Sequence, residues 1–232
     1  MAIDHYTSQY EHAAVSTATR NRVLRNTYWL LALSMIPTVL GAWIGVSTGF
    51  TFFQGSPFMG LIAFLAIAFG FMFAIERTKN SSLGVVILLG FTFFMGLMLS
   101  RLIGHVLGMA NGASLIMMAF GGTAIIFGVM ASIATVSKRD FSGMGKWLTI
   151  GFVVIFLAAI ANIWLQIPAL MLTISALATV IFSLFILFDL NRIVNGGETN
   201  YITATLSVYI SVYNVFSNLL SLLGIFGGNS ND

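Results

Sequence analysis

Long apolar runs alternate with short polar clusters along the whole chain. From residue 147 to residue 188 no residue carries a formal charge, which is enough to cross a bilayer twice at about 20 residues per crossing. Seven apolar runs are present, and each is predicted to form a membrane-spanning helix: residues 28–46, 57–75, 83–100, 113–136, 147–166, 168–188 and 201–226. Transmembrane β-strands would be about ten residues long with strict alternation, and these runs have neither property. The pattern predicts an all-α membrane protein with a seven-helix bundle.

The segments outside these runs are short, so the chain is predicted to hold one membrane domain. Residues 1–27 form an N-terminal tail, residues 28–226 form the membrane domain, and residues 227–232 form a short C-terminal tail. The N-terminal tail is too polar to be a secretory signal. Pro168 stands at the predicted first turn of the sixth helix, where its missing N–H costs no hydrogen bond.

Composition excludes several classes of function. The chain is 58% hydrophobic and only 7% charged, which sets soluble folds aside. With no cysteine there is no thiolate metal site and no cysteine nucleophile. None of the three histidines falls within a predicted span, so neither a zinc cluster nor a serine–histidine pair is expected there. The sequence predicts a protein that is not an enzyme and has no cofactor or bound metal.

The basic residues indicate the orientation in the membrane. Nine of them lie in clusters that an odd number of spans would place on one side: Arg20, Arg22, Arg25, Arg77, Lys79, Lys138, Arg139, Lys146 and Arg192. Only Arg101 lies in a loop of the opposite side. We therefore expect a cytoplasmic N-terminus and an outer, periplasmic C-terminus. Topology explains the excess of basic residues better than nucleic-acid binding does.

The seventh span carries a polar stripe. Its members recur at spacings of four, four, three, four and three, which places them on one side of a helix. They are Thr203, Ser207, Ser211, Asn214, Asn218 and Ser221. Facing lipid, these groups would lack hydrogen-bond partners, so this helix is predicted to be central. The stripe is either the wall of a polar cavity or ion path, or a set of hydrogen bonds between helices.

Asp189 closes the sixth apolar run. If the helix ends at the Asn195-Gly196-Gly197 segment, this carboxylate opposes the helix dipole, so stability alone would not select it. The alternative is an interfacial aspartate offset by Arg192, three residues further along the helix. A second carboxylate beside a basic residue, Glu76 with Arg77, lies at the end of the second span that faces the same side of the membrane as Asp189. Arg77 and Arg192 are each candidate latches for Asp189, and Glu76 is a further latch candidate.

Two C-terminal segments resemble the paired signature of the transmembrane Bax-inhibitor-motif family. They are Phe-Asp-Leu-Asn-Arg-Ile-Val at residues 188–194 and Tyr-Ile-Ser-Val-Tyr-Asn-Val-Phe at residues 209–216. Length and span count agree with that family over nearly the whole chain. Within it, the sequence is most similar to the bacterial inner-membrane YccA-like branch, and this resemblance implies a bacterial inner-membrane location.

The resemblance implies two functions. Family members are regarded as calcium leak channels gated by pH through two carboxylates that share a proton. Asp189 matches the first carboxylate, whereas Ser211 stands at the second position and brings no charge. Ser207 and Asn214 complete the candidate path for Ca²⁺ or H⁺. The YccA-like branch implies instead a modulator, and a substrate, of a membrane-anchored AAA protease that could capture the N-terminal tail. The missing carboxylate favours this second function over the channel.

Overall fold

The computed structural model describes the backbone of residues 2–52, 57–137 and 139–228. Side chains are described for residues 18–52, 58–137 and 139–227. The regular structure of the described residues is seven helices: α1 (Ala2–Ser47), α2 (Pro57–Thr78), α3 (Ser82–Leu107), α4 (Gly112–Val136), α5 (Met144–Leu165), α6 (Pro168–Val194) and α7 (Tyr201–Gly228). Each holds a segment long and apolar enough to span a bilayer. The predicted all-α membrane fold with seven spans is confirmed.

Several helices extend further than the apolar pattern predicted. Backbone hydrogen bonding continues into polar sequence when good helix formers follow and no proline or glycine interrupts them. α1 therefore begins at Ala2, and its membrane-spanning candidate segment begins at Ala18. Residues 2–27 of the predicted tail are thus continuous with the first membrane helix. α3 also extends beyond its predicted end, here through Gly104, and includes Arg101 and His105. α6 includes Asp189, as the predicted helix end at residues 195–197 requires. Lys138 and residues 229–232 lie outside the described residues.

α7 is the central helix of the bundle. It packs against α6, α4, α1 and α3, which also contact one another in the order α1, α3, α4, α6 and back to α1. Among its described side chains only Phe226 is exposed. The prediction that α7 is central is confirmed, but not all six other helices pack directly around it. α2 packs mainly outside α3, and α5 packs outside α6, so four helices form the inner ring.

The α1–α3 contact is the most extensive in the bundle and depends on small residues. A Cβ atom added to Gly41 of α1 would collide with the backbone carbonyl oxygen of Phe93 in α3. One added to Gly96 of α3 would collide with the carbonyl oxygen of Thr38 in α1. Glycines on both helices therefore let the two backbones approach closely. Gly41 and Gly96 thus provide matching surfaces on the two helices.

Replacing Gly96 with alanine should destabilise the bundle. The added methyl group meets backbone atoms, which cannot move aside as a flexible side chain can. We expect a loss of about 1–3 kcal/mol, typical of overpacking, measured as a lower thermal unfolding midpoint in detergent. Gly70→Ala in α2 is the matched control, because a Cβ atom there meets nothing within 4 Å. Equal midpoints for the two variants would contradict the close α1–α3 contact.

Candidate functional site

Asp189 lies in the last two turns of α6, and the end of that helix matches the glycine cap that the sequence predicted. α6 ends at Val194, with Asn195 as the C-cap residue. Gly196 has a φ of +78°, in the left-handed region that glycine adopts at low cost. The backbone N–H of Gly197 donates to the carbonyl oxygen of Arg192 at 2.8 Å. The chain therefore turns back over the end of α6 towards the start of α7.

Asp189 and Ser211 meet across the contact between α6 and α7. The Ser211 hydroxyl donates to a carboxylate oxygen of Asp189 at 3.5 Å and lies 3.2 Å from the backbone carbonyl oxygen of Ser207. Because a hydroxyl has one proton, it serves these two acceptors in alternation. Ser211 is buried and Asp189 is partly buried. The structure thus brings together two of the candidate residues in the protein interior.

The other stripe residues bond mainly to their own helix. The Asn214 amide donates to the carbonyl oxygen of Ile210, and the Asn218 amide donates to that of Asn214, both at 2.8 Å. Among the described side chains of the stripe, only Ser211 donates a hydrogen bond to another helix. The stripe therefore does little to hold α7 against its neighbours. Asn214 and Ser207 remain on the same side of α7 as Ser211.

A second polar line on α7 makes the contacts between helices that the stripe does not. This line consists of residues spaced by four: Thr205, Tyr209 and Tyr213. A helix turns by about 100° per residue, so the line lies about 200° around α7 from Ser207 and Ser211. The Tyr209 hydroxyl lies 2.9 Å from the hydroxyl of Thr38 in α1, and the Tyr213 hydroxyl donates to the carbonyl oxygen of Met95 in α3 at 3.2 Å. Thr205 donates to a carbonyl oxygen of α1 at 3.4 Å. The spacing was visible in the sequence, but two of the three residues are aromatic and do not read as polar.

The candidate latch residues have partners other than Asp189. Arg192 pairs with Glu198 at 3.2 Å, where the expected partner was Asp189. The turn at Gly196 explains the difference, because it brings the following loop back beside Arg192. The guanidinium of Arg77 lies over the ring of Phe73, 5.1 Å from its centre.

Glu76, the remaining latch candidate, pairs with Lys79 rather than with its neighbour Arg77. The partner is three residues further along, where α2 ends. Side chains at this spacing lie on the same side of a helix, whereas adjacent residues do not. Among the side chains that the structure describes, this pair and the one between Arg192 and Glu198 are the ion pairs within 4 Å.

Two asparagines that sequence reasoning missed connect the loops at this end of the bundle. Asn191 of α6 is buried; its side-chain oxygen accepts from the backbone N–H of Phe141 at 2.9 Å, and its amide donates to the carbonyl oxygen of Arg139 at 3.2 Å. Beside them, hydrogen bonds from Ser142 hold the pKa of the Asp140 carboxyl below its usual range. Asn191 therefore fixes the loop between α4 and α5.

Asn200 fixes a different pair of loops. Its amide donates to the carbonyl oxygen of Lys79 at 2.9 Å and to the side-chain oxygen of Asn80 at 3.0 Å. Its own side-chain oxygen accepts from the backbone N–H of Ile202 at 2.9 Å, at the start of α7. The α6–α7 loop is thereby tied to the α2–α3 loop. Nothing in the sequence pattern distinguishes this asparagine from an ordinary helix cap.

The chemistry available at the site is limited. Among the side chains that the structure describes, Asp189 has the hydroxyl of Ser211 opposite it and no second carboxylate, so the acidic pair of the resembled family is not formed by them. In the described part of the chain no group of three or more His, Asp or Glu side chains is placed to hold a metal ion. The arrangement can respond to protonation or to a passing cation through one carboxylate.

Comparison with known proteins gives similarity over nearly the whole chain. The model of the family described as "Inhibitor of apoptosis-promoting Bax1" matches residues 20–229. A protein of Escherichia coli K12 named "Modulator of FtsH protease YccA" is 40% identical over 213 residues, covering 92% of this chain and 94% of its own length. An "Inner membrane protein YccA" of Escherichia coli O6:H1 matches with the same identity and coverage. A Neisseria meningitidis serogroup B protein of uncharacterized function is 38% identical over 216 residues, 92% of this chain and 95% of its own.

Proposed function

The chain belongs to the Bax inhibitor-1 family, and we propose that it is an inner-membrane protein that modulates a membrane-anchored AAA protease and is also a substrate of it. The observation that carries this proposal is the match, along nearly the full length of both chains, to a relative named as a modulator of the protease FtsH. The match covers 92% of this chain and 94% of the relative. The candidate spans of this chain lie within the family-matched residues 20–229, apart from residues 18 and 19 at the start of the first span. Protease modulation requires no catalytic centre in this chain, and we propose that it acts without one.

The geometry supports a role in protein interaction rather than chemistry. Asn191 and Asn200 hold the loops between α2 and α3, between α4 and α5, and between α6 and α7 in fixed positions. On the same side, α1 continues for residues 2–17 beyond its membrane-spanning candidate segment. These features offer a partner an ordered surface together with a terminus from which unfolding could begin.

We propose that this surface faces the cytoplasm, with the N-terminus cytoplasmic and the C-terminus periplasmic. The basic clusters at the ends of the spans support this orientation, since positively charged loops remain on the cytoplasmic side. Reporter fusions at Asn80 and at Gly197 are expected to report the cytoplasm, and a fusion at Asp232 the periplasm. A cytoplasmic report from Asp232 would contradict the orientation.

The tail is expected to control turnover. Removing residues 2–19, while keeping Arg20, Arg22 and Arg25, should slow degradation by the protease because the terminus at which unfolding could begin is lost. Membrane insertion should not change, since the basic residues that set topology remain. Half-life is measured by pulse-chase, with a tail of the same length and composition in scrambled order as the matched control.

The protease interaction itself is tested by recovery of the intact, detergent-solubilised protein. We expect the membrane-anchored protease to be recovered with the full chain and with the scrambled-tail control. An unchanged half-life in the truncated variant would remove the tail from the mechanism. Recovery of the intact protein without any protease would contradict the proposed function as a whole.

A second function, a cation or proton leak path, is supported by one specific observation. Asp189 and Ser211 contact each other inside the bundle, on the central helix and its neighbour. A leak gated by an acidic pair needs two like charges that cannot both ionise cheaply, so that the pair titrates near neutrality. With one carboxylate, this chain should show little gating between about pH 6 and 8.

Adding the missing carboxylate should create such gating. Ser211→Asp places a second acid against Asp189, and we expect a new pH dependence of calcium or proton flux between about pH 6 and 8 in liposomes. Adding Asp189→Asn to that variant should remove it, because one acid is again left. Ser211→Asn is the matched control for polarity without charge. Strong gating of the unmodified chain in this range would show that the second carboxylate is not needed.

A further inference from the structure

Glu198, in the α6–α7 loop, uses both of its carboxylate oxygens. One oxygen is 3.2 Å from the guanidinium of Arg192. The other accepts hydrogen bonds from the backbone N–H groups of Thr199 and Asn200, each at 3.0 Å. The backbone N–H of Glu198 also donates to the carbonyl oxygen of Arg192 at 3.3 Å. The backbone of the loop therefore holds this carboxylate in place independently of Arg192.

Two carboxylates lie near Arg192 in the sequence. Asp189 is three residues earlier, on the same side of α6, and Glu198 follows in the loop. In the structure the ion pair is with Glu198, and the described hydrogen bond to Asp189 comes from Ser211 of α7. Asp189 is thus left without a directly paired cation among the described side chains.

We propose that Glu198 is a positioning residue that holds Arg192 away from Asp189. A fixed acceptor in the loop competes for the guanidinium with the carboxylate on the helix. When Glu198 is present, Asp189 faces the Ser211 hydroxyl and stays available to a proton or cation. When Glu198 loses its charge, we expect Arg192 to move to Asp189, which lies three residues earlier on the same side of α6, and to pair with it.

Asn200 extends this arrangement to a second loop. Its backbone N–H is held by Glu198, and its side chain holds the α2–α3 loop at Lys79 and Asn80. A displacement of the α2–α3 loop would therefore disturb the acceptor for Arg192. The inference depends on the second proposed function only in treating Asp189 as the responsive group, and it needs neither a protease partner nor ion flux to be tested.

The test measures the reactivity of Asp189 itself. A hydrophobic carbodiimide adds to a protonated carboxyl group and rearranges to a stable N-acylurea, with no leaving group, so the adduct is quantified by mass spectrometry of the peptide that contains Asp189. Labelling is followed at pH 7 in the full-length protein in liposomes, with Asp189→Asn as the blank. We expect Glu198→Gln to lower the labelling rate roughly threefold or more, because a released Arg192 favours the unreactive carboxylate.

A double variant separates positioning from loop structure. In Glu198→Gln with Arg192→Gln, labelling should return at least to the rate of the natural chain, since no guanidinium is left to move. Thr199→Ala, on the exposed loop beside Glu198, is the matched control and should keep the natural rate. If the double variant stays as slow as Glu198→Gln, Glu198 only supports the loop and the proposal is overturned.

Two other results would also overturn it. An unchanged rate in Glu198→Gln would show that Arg192 does not move to Asp189. Labelling of the natural chain no higher than the Asp189→Asn blank would show that Asp189 is already paired or unreactive with Glu198 in place. The labelling results do not depend on whether a protease is recovered or ion flux is seen. The proposed function and the proposed role of Glu198 can therefore be contradicted independently of each other.

Discussion

The structure depends on the enclosure of α7 by other helices. In a bilayer the core offers no water, so every polar group on a central helix must find its partner inside the protein. α7 meets this requirement with two lines of polar residues on opposite sides. Thr205, Tyr209 and Tyr213 bond across to α1 and α3, whereas Ser211 turns to Asp189 of α6. The first line fixes the rotation of α7, and that rotation presents Ser211 to Asp189.

The same enclosure defines what the site can do. A hydroxyl opposite a carboxylate can donate a hydrogen bond to the charged form, whereas a second carboxylate would repel it. The chain thus keeps the position of an acidic pair while lacking the repulsion that would make such a pair titrate as a unit. This difference favours the proposed interaction with a protease over a leak gated by an acidic pair.

Sequence reasoning predicted the seven helices well because apolar runs about 20 residues long have few alternatives. It also predicted the central seventh helix, since the stripe at 203–221 could not face lipid. Helix ends were harder, because α1 and α3 continue through polar residues that fit a helix as readily as a loop. The partner of Arg192 could not be predicted, because it depends on the chain reversal after α6.

The missed residues share a physical reason. Asn191 and Asn200 donate hydrogen bonds to backbone carbonyl groups of loops that are distant in sequence. Because every residue has a backbone carbonyl group, the sequence does not show which one is the acceptor. Tyr209 belongs to the segment that resembles the family signature, and its spacing of four from Thr205 and Tyr213 also marks a second polar line. Patterns within one helix are therefore readable, whereas contacts made through loops require the folded structure.

The contact between Asp189 of α6 and Ser211 of α7 is tested most directly by cysteine crosslinking, because the natural chain contains no cysteine. Asp189→Cys combined with Ser211→Cys should form an intramolecular crosslink with a short thiol reagent in the membrane. Asp189→Cys combined with Tyr209→Cys should not, because Tyr209 lies on the opposite side of α7 and contacts α1. Crosslinking of the second pair without the first would show that α7 is rotated away from Asp189 and would contradict the account.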